Sequence, residues 1–257
     1  MTTIESLDIL GIKKGDVVLI HSDITLISQV ISPGRPEDFC EIFYKYMLNK
    51  VGESGTLIFP TFNFGFCSGE SFSIKETKSQ MGSLTTYAMK LPESVRTKHP
   101  VYSFAVIGRL KEDFAKIDNE SAYSDESIFG ELRRRNGKIM LIDISIQRSM
   151  TFFHHIEEML HVDYRYHKDF RGLYTDENGK LSSKTYSIFV RKLELGVKTN
   201  VEPMSKLFEQ AGFVKMTIFP NGSFVKLLNA DELYRFTVKK MKEDPFLLYE
   251  IDQKIKK

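Results

Sequence analysis

Gly15-Asp-Val-Val-Leu-Ile-His-Ser-Asp23 is the stretch from which the fold is read. A Gly-Asp turn leads into four consecutive apolar residues, Val17-Val-Leu-Ile20, which end in polar ones. A continuous apolar run of this length suits a strand buried on both faces, as in parallel sheets covered by helices. Thr56-Leu-Ile-Phe59, closed by Pro60, reads the same way, as do Phe104-Ala-Val-Ile107 and Lys138-Ile-Met-Leu-Ile-Asp-Ile144. Helical patterns lie between these runs. Thr2 and Glu5 have the spacing of a capping box for a first short helix that Gly11 stops. Pro36 begins an amphipathic helix with Phe39, Ile42, Phe43, Tyr46 and Met47 on one face, and further helices are expected from about Ser83 to Leu91 and from Ile128 to Arg134. The chain therefore alternates strand and helix up to about residue 160, as a helix-covered sheet requires. Beyond that point Asp176-Glu-Asn-Gly179 and Pro220-Asn-Gly222 are hairpin signals, with helices at about 203–211 and 230–242. The expected fold is α/β: a three-layer sandwich with a central mixed sheet, to which the C-terminal half adds antiparallel strands. Residues 1–257 are read as a single domain.

The 257 residues are 42% apolar, enough for a substantial core, and 36 basic against 34 acidic residues leave a net charge of only +2. No global field draws such a chain to nucleic acid or to a membrane surface. Its two cysteines, Cys40 and Cys67, provide neither a disulfide framework nor a metal knuckle. The N-terminus carries acidic residues where a signal peptide needs basic ones, and no apolar stretch approaches the roughly 20 residues that span a bilayer. A cytoplasmic protein is expected.

Chemistry concentrates in Ser149-Met-Thr-Phe-Phe-His-His-Ile-Glu-Glu-Met-Leu-His161, which places three of the six histidines and two glutamates on one helix directly after an apolar strand. Positions three and four apart share a helix face, so His154 sits over Glu157 and Glu158, and His161 lies on the side of Glu158. His154, Glu158 and His161 could ligate a metal, and Glu158-x-x-His161 has the spacing of di-iron bundles. The second Glu-x-x-His that such a site needs is missing, as is the His-Glu-x-x-His order of zinc hydrolases. General-base catalysis is the second reading: a carboxylate one turn from His154 fixes its tautomer and raises its basicity, and Thr151 could offer a hydroxyl to a developing oxyanion. The third is structural, histidines satisfied by neighbouring glutamates on a half-buried helix.

Several segments, in order, resemble the aminoglycoside 3-N-acetyltransferase family, which uses acetyl-CoA and differs in fold from the common GNAT acetyltransferases. They are Gly15-Asp-Val-Val-Leu-Ile-His-Ser22, Gly55-Thr-Leu-Ile-Phe-Pro-Thr-Phe62, Phe66-Cys-Ser-Gly-Glu70, Ser79-Gln-Met-Gly82, Arg96-Thr-Lys-His-Pro-Val-Tyr-Ser103, Gly137-Lys-Ile-Met-Leu141 and Thr151-x-x-His154-x-x-Glu157, with Tyr164-Arg165 and Asp244-Pro245 near the end. The resemblance implies that His154 is the base that deprotonates the acceptor amine, Glu157 its orienting carboxylate, and Thr151 a contact to the thioester carbonyl or the acceptor. It implies direct transfer from acetyl-CoA, with no protein nucleophile and no metal. On the cofactor side it points to His21, Ser22 and Asp23, read as a strand end capping a helix whose N–H groups meet a pyrophosphate, to Met81 and Gly82 at another helix start, and to Arg96 and Ser103, with Lys98 and His99 adding charge.

This chain departs from the resistance enzymes at Asp143-Ile-Ser-Ile-Gln-Arg-Ser-Met150, where they have a small glycine-containing turn and an Asn before the Thr. His155, with Glu158 three residues on, is a second candidate base. The basic, aromatic segment Arg165-Tyr-His-Lys-Asp-Phe-Arg171 suits an anionic or nucleotide-linked amino sugar better than a polycationic drug. The expected activity is N-acetylation of such an amino sugar, with aminoglycoside 3-N-acetylation as the alternative and a metal-dependent hydrolase as the outside reading. The expected partner is a small-molecule amine, with neither nucleic acid nor membrane involved; a homodimer is left open.

Overall fold

A computed structural model describes residues 4–252. Its centre is a seven-stranded sheet of β1 (Val17–Ser22), β2 (Thr56–Pro60), β4 (Val95–Arg96), β5 (Phe104–Gly108), β6 (Lys138–Ile142), β10 (Lys215–Ile218) and β11 (Phe224–Asn229), in the order β10-β11-β6-β1-β2-β5-β4. The apolar run at 17–20 lies in the middle strand, parallel to β2 on one side and β6 on the other. All other pairings in this sheet are antiparallel.

Alternate residues of each strand feed two separate apolar layers, which explains why the runs are apolar throughout. Val18, Ile20, Leu57, Phe59, Met140 and Ile142 pack against α1 (Ile27–Ile31), α2 (Phe39–Val51) and α3 (Ser83–Lys90). Val17, Leu19, Ile58, Ile139 and Leu141 pack on the opposite side. That side holds α4 (Lys111–Lys116), α5 (Ile128–Arg134), α6 (Ile146–Ser149), α7 (Phe152–Met159), α8 (Glu202–Gln210) and α9 (Ala230–Glu243). Each fully buried Val, Leu or Ile contributes roughly 1.5–3 kcal/mol, so the middle strand alone is a large source of stability. At the β2–β5 join, Gly108 has φ +113°, and a Cβ there would lie 2.3 Å from the Gly55 carbonyl oxygen. Only glycine lets these two strands close.

The expected three layers and mixed sheet are present, with two differences. Antiparallel strands come from both halves of the chain, since β4 and β5 belong to the first. Of the two C-terminal hairpins only β10–β11 joins the central sheet. The other, β7 (Arg165–Thr175) and β8 (Leu181–Arg191), forms its own sheet with the short β3 (Phe72–Ser73). β9 (Val197–Thr199) and β12 (Tyr249–Ile251) make a separate pair. Gln147 of α6 ties this region down, donating to the Thr199 carbonyl and accepting from the Val201 N–H. Thr2, expected to cap the first helix, lies outside the described residues; Ile4–Leu10 is a 3-10 helix. No helix among the described residues is long and apolar enough to cross a membrane.

Candidate active site

β6 ends at Ile142, and Asp143 turns the chain with φ +48°. Its carboxylate accepts from the N–H groups of Ile27 and Phe224, so one side chain fastens the exit of β6 to the start of α1 and to β11. After α6 the chain enters α7 through Thr151, whose hydroxyl makes no capping hydrogen bond. Phe152, Phe153 and Ile156 bury one face of α7 in the core, and this sets where the polar residues between them point.

His154 and His155 are adjacent and face different surroundings. His155 is fully buried; its Nδ1 is 2.7 Å from the Tyr123 carbonyl oxygen and its ring packs on Phe152 and Tyr234. Burial lowers its pKa to about 4. His154 keeps 21% of its side chain exposed, with its ring against Tyr123. His154 Nδ1 lies 2.7 Å from Glu157 Oε2, the i,i+3 pairing read from the sequence.

Glu157 is buried and held from three sides. Tyr164 donates to its Oε1 at 2.9 Å, His154 meets Oε2, and Arg165 Nε lies 2.8 Å from Oε2 in an ion pair too poorly angled to be a hydrogen bond. Burial works to raise its pKa, but the His154 bond, the Arg165 charge and the Tyr164 hydroxyl together hold it below the ordinary glutamate value. An ionised carboxylate only accepts, so Nδ1 of His154 carries the proton and Nε2 has the free lone pair. Burial first, then the charge of Arg165, lowers the pKa of His154 against the pull of Glu157. A neutral imidazole with one free nitrogen, backed by a fixed carboxylate, is the geometry of a general base.

His154 opens on a cavity of about 640 Å³, within the range of small-molecule sites. Tyr102, Tyr123, Phe170 and Ile188 supply apolar wall, and Arg165, Lys168 and Arg191 supply cations. Tyr166, Lys168 and Phe170 of β7 face this cavity. His167 and Asp169 face a second one, of about 700 Å³, lined by Asp118, Glu120 and Glu126. Beside that second cavity, Glu158 accepts from Ser121, and His167 is 4.0 Å away. His161 lies past the end of α7 with φ +49°. The three residues of the metal reading thus point to different surroundings, and no group of three metal-ligating side chains is placed to hold an ion among the described residues.

The residues expected on the acetyl-CoA side are dispersed, and several have other duties. His21 is buried, with its pKa lowered to about 4 by that burial. Ser22 is the last residue of β1, paired with Ile142, and does not cap a helix. Asp23 closes a turn by accepting from the N–H and hydroxyl of Thr25; the first N–H of α1, Ile27, goes to Asp143 instead. The free helix end expected after β1 is therefore absent. Gly82 precedes α3 with φ +97°, so backbone conformation and not close approach demands the glycine, and Met81 packs partly buried against the core. Arg96 is buried. It donates to Ser103 Oγ and to the carbonyls of Thr61, Ile74 and Thr77, and burial lowers its pKa to about 10. Its guanidinium pins three loops together. Ser103 is buried in the same network with Thr61, and His99, also buried, accepts from Val101 and Tyr102 at Nδ1. Tyr164 and Arg165, which hold Glu157, come from the turn after α7 and the first residue of β7; no spacing rule reaches them from His154. Lys168 and Arg191 of the cavity come from strands whose pairing is not written in their local sequence.

The family model described as aminoglycoside 3-N-acetyltransferase matches residues 19–242. The SPbeta prophage-derived aminoglycoside N(3')-acetyltransferase-like protein YokD of Bacillus subtilis is 26% identical over 174 residues, an alignment spanning 58% of this chain and 61% of that protein. The crystal structure of YokD superposes with a TM-score of 0.76 at 22% identity, covering 94% of this chain and 92% of YokD. The aminoglycoside acetyltransferase AAC(3)-Xa superposes at 0.77 with 18% identity, covering 93% and 90% of the two chains. AAC-IIIb in a binary complex with CoASH superposes at 0.76 with 15% identity, covering 93% and 94%. With the family match running through most of its length, this chain belongs to the aminoglycoside 3-N-acetyltransferase family.

Proposed function

We propose that this protein is an acetyl-CoA-dependent N-acetyltransferase in which His154 is the general base. The observation that carries this reading is the His154–Glu157 pair, with His154 lining a cavity, in a chain of this family. Acetyl-CoA would supply the acetyl group activated as a thioester. His154 Nε2 takes a proton from the acceptor amine as that nitrogen bonds to the thioester carbonyl carbon and the carbon–sulfur bond breaks. The imidazolium then returns the proton to the departing thiolate. Glu157 stabilises the imidazolium and holds the ring in the working tautomer, while Tyr164 and Arg165 hold Glu157. Thr151, one turn before His154, is the proposed hydroxyl contact for the thioester carbonyl or the acceptor. Burial pushes the thiols of both Cys40 and Cys67 up, away from the thiolate form, which supports transfer without a cysteine acyl-enzyme.

For the acceptor, the relatives favour an aminoglycoside over the nucleotide-linked amino sugar expected from the basic segment. The anionic amino sugar is kept as a second reading on one observation: cations and no carboxylate line the His154 cavity among the described residues. Thiol release from acetyl-CoA, measured against a panel of aminoglycosides and neutral and phosphorylated amino sugars, tests both. Release dependent on an amine supports the enzyme, and the best acceptor decides the class. No release with any amine, or full activity in His154→Ala, overturns the reading.

A further inference from the structure

Arg165 and Arg191 stand directly opposite one another on β7 and β8. Like charges in that position repel, and a fold keeps them only with compensation. Arg165 has it: Glu157 at 2.8 Å, the Phe189 carbonyl at 3.0 Å and the Thr199 hydroxyl at 3.4 Å. Arg191, half-buried on the wall of the His154 cavity, makes no hydrogen bond or ion pair with any described residue. Lys168 on the same wall has only the ring of Phe170, 5.3 Å from its ammonium. Among the described residues no Asp or Glu lines the cavity. Several other half-buried cations, Lys138, Lys184, Lys226 and Arg133, each have a carboxylate. An arginine with five unspent donors in a fixed fork, in a cavity with a second cation, is suited to a planar or tetrahedral oxyanion.

We propose that Lys168 and Arg191 form an anion-binding subsite of the His154 cavity, taking a phosphate or carboxylate group carried by one of the two substrates. The identity of those substrates rests on the acetyl transfer proposed above; the anion site itself does not. Two sources have this chemistry, the phosphates of the CoA donor and an acidic group on the acceptor. The subsite fixes the substrate by a bidentate Arg191 contact while His154 reaches the amine.

Titration calorimetry with inorganic pyrophosphate tests the site without any turnover. The wild-type protein should bind it, more weakly as salt is raised, and Lys168→Gln/Arg191→Gln should bind at least about tenfold more weakly with an unchanged melting temperature. Arg191→Lys should restore part of the loss. Absence of binding to the wild type, or equal binding by the double variant, overturns the subsite. Kinetics then name the source. A KM increase in the double variant for acetyl-CoA but not acetylpantetheine assigns the anion to the donor. An increase for glucosamine 6-phosphate but not glucosamine assigns it to the acceptor. Pyrophosphate binding that is lost with no change in any of these KM values rejects a substrate-borne anion. A protein that transfers acetyl to no amine refutes the enzymatic reading, and the titration still decides the site.

Discussion

On one side of β7, Lys168 faces the cavity that holds His154; on the other, Asp169 faces a cavity of similar size whose wall is Asp118, Glu120 and Glu126. The two differ in more than sign. In the acidic cavity Asp118 is already bonded to Lys184 and Tyr186, each at 3.0 Å, and burial raises the pKa of Glu158 beside it. In the cationic cavity Arg191 has no partner among the described residues, and the neutral imidazole of His154 is hydrogen-bonded to a buried carboxylate. A polycation would be drawn toward the first by its field. His154 opens onto the second. One strand, through the period-two alternation of its side chains, thus keeps an acidic surface and the His154 surface apart.

Substitutions on the two sides should separate them. The largest effect is expected from His154→Ala, which should lower turnover about 100-fold or more with little change in melting temperature. Thiol-release kinetics check this, and a small loss would take the base away from the cationic side. Arg165→Met leaves Glu157 buried without its ion pair and should cost about 3 kcal/mol in urea unfolding, more than a surface arginine would. Tyr164→Phe removes one hydrogen bond to Glu157 and should cost roughly 1 kcal/mol, read as a several-fold loss of kcat with KM unchanged. The pH profile comes next. Since the pKa of His154 is lowered, the base stays neutral below pH 6.5, and kcat/KM should fall only as pH drops through that lowered value. Arg191 adds to the lowering, so Arg191→Gln should move the acid limb upward. Glu158→Gln, on the acidic side, should change turnover by less than about twofold, as expected for a residue outside the chemistry. A large loss there would move the functional cavity across the hairpin.

What could be read without the structure divides along the same line. β1, β2, β5 and β6 are continuous apolar runs because both their faces are buried, and the His154–Glu157 pair is local to one helix. Both are legible, since spacing along the chain equals spacing in space. Arg96 reads as a charge for the acetyl-CoA side because nothing nearby in sequence announces the carbonyls of Thr61, Ile74 and Thr77 that surround it. Asp23 looks like a cap, yet the helix it precedes is capped by Asp143, 116 residues away from Ile27. The hairpin turns of β7–β8 and β10–β11 are marked by Asn-Gly, whereas which hairpin joins the main sheet depends on pairing that no turn residue encodes. The charge of the cavity was half visible in Arg165 and Lys168 and needed β8 to deliver Arg191 opposite.

The middle strand has one more consequence, for how the chain is made. β1 needs β6 on one flank, and Val18 pairs with Lys138, about 120 residues later. At a synthesis rate of roughly 5–20 residues per second, the edge of β1 awaiting β6 stays open for about 6–24 s on the ribosome. That edge belongs to Val17, Val18, Leu19 and Ile20, the most apolar segment of the sheet and a template for pairing with a wrong strand. What shelters β1 during those seconds therefore bears on folding yield as well as on the stability of the finished molecule. Polar substitution at Val18 or Ile20 would quiet the open edge and ruin the core, so selection has little room to relieve the one hazard without creating the other.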